Sequence, residues 1–198
     1  MLIDSHCHLD YPGLVEELPA VLARAQASGV DAMLTIGTKI REFGAVRAIA
    51  EAHDNIFCTV GTHPHDSEAE EAVTAQQLVD LTQSPKVVGI GETGLDFFYD
   101  NSPREIQEAG FRTHIAAARQ TGLPLIVHTR GADDETIQVL KEEAEKGAFT
   151  GVIHCFSVGR AVAEAALDLG FYISISGIVT FKKSDELREI VRDLPKDR

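Results

Sequence analysis

The order of the chain predicts an α/β fold, a TIM-type (β/α) barrel with seven βα units visible and the eighth strand missing. Two observations predict the alternation and a third predicts the closure. Short apolar or β-branched runs alternate with amphipathic helical patterns, and at four places a glycine stands where a helical pattern gives way to the next run. The residues able to do chemistry collect at one end of several different strands, which is what a barrel mouth provides.

The apolar runs lie near residues 2–5, 32–37, 56–61, 87–91, 124–128, 150–154 and 171–176. They are too short for helices and too uniformly apolar for strands with one wet face, so all seven read as buried parallel strands. Between them, Leu14, Leu18, Val21, Leu22 and Ala25 form one apolar stripe, and Phe111, Ile115 and Ala118 form part of another. Ser102-Pro103-Arg104-Glu105 reads as an N-cap, a proline at the first helical position and a capping-box glutamate. Gly29, Gly122, Gly147 and Gly170 fall where a left-handed C-cap is needed. The 198 residues show no composition break or linker, so residues 1–198 read as one domain. A small parallel barrel closes with eight strands. The last helical pattern (Leu187, Ile190, Val191, Leu194) is followed only by Pro195-Lys196-Asp197-Arg198, so the barrel is expected to be truncated at its C-terminus. An open doubly wound sheet is the alternative, but it places its ligand at one switch point. Here strands one, three, four, five and six all end in notable residues.

The formal net charge of −13 argues against a non-specific, charge-driven nucleic-acid binder. It does not exclude an enzyme acting on a phosphate ester, because bound cations reverse the local field. The acidic stretch Asp66 to Glu71 reads as an exposed loop and helix start. Cys7, Cys58 and Cys155 form no disulfide framework. The N-terminus has no signal-peptide pattern, and no apolar run approaches a spanning helix. A cytoplasmic setting without membrane contact is expected, and nothing calls for an obligatory protein partner.

Five stretches carry the chemistry. In Asp4-Ser5-His6-Cys7-His8, residues two apart point the same way, so His6 and His8 present two imidazoles to one side. Neutral imidazole is a common ligand for divalent transition metals, although hydrogen-bonded histidines at a strand end explain the pair equally well. In Gly89-Ile90-Gly91-Glu92-Thr93-Gly94-Leu95-Asp96, Glu92 emerges from strand four, where a carboxylate can bridge two cations; taken alone, an exposed glutamate in a tight loop explains it as well. His128 and His154 end two successive buried strands, where imidazole nitrogens need partners. In Gly61-Thr62-His63-Pro64-His65, Pro64 stiffens a loop whose histidines suit substrate contact or proton transfer. His53 and His114 read as structural, and strand alternation points Cys7 and Cys155 away from the site. The convergence of His6, His8, Glu92, His128 and His154 on comparable strand ends argues for a divalent-metal site, which no one of them argues alone.

These stretches, with His128-Thr129-Arg130 and His154-Cys155-Phe156-Ser157, occur in an order that resembles the TatD-type metal-dependent deoxyribonucleases among the amidohydrolase-like barrels. The resemblance spans nearly the whole chain. It implies a hydrolase with two divalent ions: His6 and His8 on one, His128 and His154 on the other, Glu92 bridging. Zinc, manganese and magnesium are the candidates, and imidazole-rich coordination suits zinc, manganese or iron better than magnesium. Catalytic roles then fall to Glu92, His63 and His65, with His63, His65 and Arg130 contacting a phosphodiester substrate, DNA being expected. The resemblance also implies a later Glu-Thr-Asp-x-Pro-Tyr motif, and residues 177–198 contain nothing like it. Two rival readings follow. One is an amidohydrolase acting on a small amide or lactone. The other is an impaired fragment serving as an interaction module through the open edges of its first and last strands.

Overall fold

The structure is a computed structural model and describes residues 1–198. Seven parallel strands, β1 (Leu2–Cys7), β2 (Val30–Thr35), β3 (Ile56–Val60), β4 (Val87–Asp96), β5 (Leu125–Arg130), β6 (Gly151–Ile153) and β7 (Tyr172–Ile173), form one sheet in sequence order. The crossovers carry α1 (Leu18–Ala27), α2 (Phe43–Glu51), α3 (Ala75–Leu81), α4 (Arg104–Thr121), α5 (Asp133–Glu145) and α6 (Arg160–Asp168), and α7 (Asp185–Asp193) follows β7. The sheet curls into a TIM-type barrel arc with helices outside, the architecture the alternation predicts.

Burial explains why these stretches are strands and helices. Ile56, Cys58, Val60, Ile90, Leu125, Val127 and Ile153 are fully or almost fully buried, as parallel strands covered on both faces require. Against them α2 sets Phe43, Val46, Ile49 and Ala50, and α4 sets Phe111, Ile115 and Ala118. Each such aliphatic or aromatic side chain contributes about 1.5–3 kcal/mol relative to leaving it in water. Between α4 and α5, Arg112 and Arg119 both reach the buried Glu143 carboxylate at 3.1 Å, so that charge is paired rather than stranded.

Three local expectations need correction. β1 and β7 are the edges of the sheet, so β1 is not a buried strand: Leu2 and Ile3 are each 56% exposed. The stripe through Leu14 starts later than expected. α1 opens at Leu18, and Leu14 sits exposed in the turn before it, while Leu18, Val21, Leu22 and Ala25 pack on the core. Ser102 does not cap α4. Its hydroxyl donates to the His65 carbonyl at 3.0 Å and accepts from the Glu68 amide, so a tertiary contact displaces the local one.

β4 is longer than its apolar run, extending through Gly94 to Asp96, and this extension positions the site. Gly94 pairs with His128, and Asp96 with Arg130. Gly94 has φ +140°, and a Cβ there would run into the His128 carbonyl oxygen. Only glycine lets β4 pass this close to β5.

Candidate metal centre

The C-terminal ends of β1, β3, β4, β5 and β6 surround a cavity of about 790 Å³. His8, His63, His65, Glu92, His128 and His154 line it, and its cationic side chains are Lys39 and Arg130. His6 lies just behind this wall, its Nε2 3.2 Å from Glu92 Oε2. Glu92 is buried, and its other oxygen stands 3.2 Å from His128 Nδ1 and 3.7 Å from His63 Nε2. One carboxylate therefore serves two groups of imidazoles: His6, His8 and Glu92 form one set, and His63, Glu92 and His128 the other. The donor atoms of each set lie within 4.8 Å of one another. Ligands about 2.0–2.2 Å from one cation stand at most about 4.4 Å apart, so small side-chain adjustments close either set.

The polar bookkeeping fits a cation. His6 Nε2 and His8 Nδ1 are buried without a hydrogen-bond partner. Buried imidazole nitrogens ordinarily have one. Nitrogens left unpaired beside a buried carboxylate are what a divalent ion satisfies.

His154 lies apart from both sets. Its ring stacks on His6 with centroids 3.4 Å apart, so the structure brings His63, rather than His154, within reach of His128 and Glu92. Hydrogen-bond partners assign the tautomers. The His65 amide donates to His63 Nδ1 at 3.2 Å, which leaves a neutral His63 with its proton on Nε2. In that form His63 donates toward His128 Nδ1, 3.3 Å away, instead of offering a lone pair.

Asp96 is the residue that sequence reasoning passed over. Its side chain is fully buried, and Oδ2 accepts from His65 Nε2 at 2.9 Å and from His128 Nε2 at 3.0 Å. Its Oδ1 accepts from the amides of Phe98 and Tyr99 at 3.1 and 3.0 Å. A proton held on His128 Nε2 leaves Nδ1, facing Glu92, as the ligating atom. The available signal was period-two alternation: Glu92, Gly94 and Asp96 share one face once β4 is extended.

The electrostatics follow from this packing. Burial alone would raise the Glu92 carboxyl, but the adjacent His128, His6 and His63 imidazoles hold it well below the usual range. Burial alone would lower His128, but Glu92 and Asp96 raise it above its ordinary value. Burial pushes His63 down to about 3, and burial with the adjacent His6 takes His154 to about 4. Both rings are neutral at physiological pH, the form in which imidazole ligates or donates.

The loop carrying His63 and His65 is held from behind. His114, buried in α4, accepts the Thr62 amide at Nε2 (2.9 Å) and donates from Nδ1 to the Gly110 carbonyl (2.7 Å). Glu70 accepts from Thr62 Oγ1 at 2.6 Å and from the amides of Ile40 and Arg41. The acidic stretch is therefore partly internal bracing, a correction to its reading as exposed loop: Asp66 pairs with Arg41 at 2.9 Å. Burial pushes His114 down to about 4. The folded state thus keeps His114 neutral where the unfolded chain protonates it, and stability is lost as pH falls below about 6.5. Between pH 7 and pH 5 this group should cost about 2 kcal/mol of folding stability. Urea unfolding of metal-free protein at both pH values checks it; His114→Gln should lose that much less than wild type, and equal losses would clear His114.

Cys7 and Cys155 divide. The Cys7 thiol lies 3.4 Å from the Leu34 carbonyl against the core, and burial pushes it up to about 12. Cys155 does not point away from the site. β6 ends at Ile153, alternation stops there, and Cys155 adopts φ 47° and lines the cavity with its thiol 3.0 Å from Ser176 Oγ. His53 lies outside the cavity lining, just past α2.

Comparison with known proteins agrees with this architecture. The family described as TatD related DNase matches residues 3–198. The chain is similar to the Escherichia coli K12 protein named uncharacterized metal-dependent hydrolase YcfH, at 39% identity over 200 residues, covering 100% of this chain and 74% of that one. It is 38% identical over 181 residues to the Klebsiella pneumoniae protein named 3'-5' ssDNA/RNA exonuclease TatD, covering 90% of this chain and 68% of that one. Among solved structures, YJJV, a TatD homolog from Escherichia coli K12, superposes with a TM-score of 0.88 at 31% identity, covering 98% of this chain and 75% of that one. No helix is long and apolar enough to cross a membrane. Matched across nearly its whole length, with relatives named as metal-dependent hydrolases, the chain belongs to the TatD-related DNase family.

Proposed function

We propose that this chain hydrolyses phosphodiester bonds, with DNA as its substrate and two divalent cations as its cofactor. The observation that carries the reading is the buried Glu92 carboxylate, shared between two groups of imidazoles on the floor of one cavity. The name of the Klebsiella relative supports the substrate class. His6, His8 and Glu92 would hold one cation, and Glu92, His128 and His154 would hold the other. When bound, the cations supply polarisation of the phosphoryl group and hydroxide near neutral pH.

The chain's own residues do the rest. His63, with its Nε2 proton, donates to a substrate oxygen beside the second site. His65, on the cavity wall and bonded to Asp96, serves the leaving group's proton. Lys39 and Arg130 offset the charge of the substrate in a protein of net charge −13. Three free cysteines suit a reduced cytoplasmic setting.

The protonated nitrogen of each ring separates ligands from donors. His128→Ala and His154→Ala should each lower the metal content of purified protein by about one ion per chain, whereas His63→Ala should keep full content and lose rate about 10²–10⁴-fold, as removal of a proton donor does. Metal analysis beside a single-stranded DNA assay reads both quantities; a metal-depleted His63→Ala protein would reverse the assignment. A parallel panel of small amides and lactones decides the substrate class, and turnover of those with inert DNA would replace this proposal by the amidohydrolase reading.

A further inference from the structure

Phe98 and Tyr99 are 64% and 53% exposed at the end of β4, immediately beside the cavity, while the neighbouring Phe97 packs against the core. Their rings stand perpendicular, with centroids 5.0 Å apart. The Arg130 guanidinium, on the cavity wall, covers both, 4.2 Å from the Phe98 centroid and 4.6 Å from that of Tyr99. Tyr99 also meets the His65 ring edge-on at 5.4 Å. The pair is not a loose loop tip. Both backbone amides are tied to Asp96 Oδ1, the carboxylate whose other oxygen orients His65 and His128. One buried side chain thus fixes the aromatic pair relative to the metal centre.

An exposed, pre-ordered aromatic pair with a cation across one face suits a flat, electron-rich ring carried on an anionic backbone. We propose that Phe98 and Tyr99, backed by Arg130, form a stacking platform for an unpaired nucleobase next to the scissile phosphate. This subsite rests on the phosphodiesterase reading above and adds its base-binding part. A base lies flat on the free face of one ring and meets the other at its edge, and the edge of Arg130 reaches the adjoining phosphate. Stacking accepts any base, because each has a π-face.

The test compares kcat/KM of metal-loaded protein on single-stranded oligothymidylate and on a base-free tetrahydrofuran phosphodiester of equal length. Wild type should favour the base-bearing substrate by about 5- to 100-fold, the range of one stacked base. Phe98→Ala and Tyr99→Ala should bring the ratio toward one, and Tyr99→Phe should keep it. Phe98→Leu, which retains apolar bulk without a π-face, should behave as Phe98→Ala. An unchanged ratio in the Phe98 variants, or no preference in wild type, overturns the platform. If wild type cleaves neither substrate, the phosphodiesterase reading falls by itself. Fluorescence anisotropy with both oligomers labelled then decides the platform separately: tighter binding of oligothymidylate, lost in Phe98→Ala, supports it, and equal binding overturns it.

Discussion

Glu92→Gln is expected to abolish function more completely than any other single change, with hydrolysis falling on the order of 10³-fold and bound metal falling with it. The substitution keeps the size of the side chain, so cavity formation adds little. What changes is charge. A carboxylate offers both oxygens as ligands, and in this structure one oxygen faces His6 and the other faces His128 and His63. An amide offers one oxygen, and its NH₂ would point at one of the two sets. A second readout separates this effect from misfolding. Glu92 is a main reason His128 is raised above its ordinary value, so in metal-free Glu92→Gln protein that imidazole should titrate lower, measured by NMR. A variant that kept its full metal content, with His128 titrating as in wild type, would remove Glu92 from the centre of the site.

The second large effect is expected at Asp96, which touches neither proposed cation. Asp96→Asn should weaken metal affinity about 10- to 100-fold, the usual consequence of losing the partner that orients a ligating histidine. All four neighbours of this carboxylate donate to it: two imidazole Nε2 protons on one oxygen and two backbone amides on the other. Asparagine brings its own donors to one side. Either His128 and His65 give up the Nε2 proton, which puts the proton of His128 on Nδ1, the nitrogen that faces Glu92, or the Phe98–Tyr99 turn loses its anchor. Asp96 carries a lowered pKa, since burial, which would raise it, is outweighed by the Tyr99 amide and by His65 and His128. Competitive chelator titration gives the affinity. Recovery of much of the rate at saturating metal would mark Asp96 as a positioning residue, and an affinity equal to wild type would deny it that role.

Much of this molecule was legible in order and pattern. Alternating apolar runs and helical stripes specify strands and helices locally, and a parallel sheet with helical crossovers is the architecture that buries both. The ends of those strands must share one rim, so histidines placed there could be read as neighbours before any distance was known. Local pattern failed where a residue's partners come from elsewhere in the chain. The glycines flanking Glu92 allow either a close backbone approach or a sharp turn, and β4 runs straight through them, its missing Cβ at Gly94 leaving room for the His128 carbonyl. The extension of β4 is what brings Asp96 into the site. Ser102 looked like a cap and instead bonds His65 and Glu68.

The sequence by itself determined which side chains reach the rim, because strand register and side-chain alternation are local properties. Only the tertiary structure decided what each one faces there. It stacks His154 on His6, places His63 beside His128, and chooses the protonated nitrogen of each ring through the His65 amide and the Asp96 carboxylate. Those choices depend on distances between strands far apart in the chain, and hydrogen bonding falls off too steeply with distance and angle for composition or spacing to encode them.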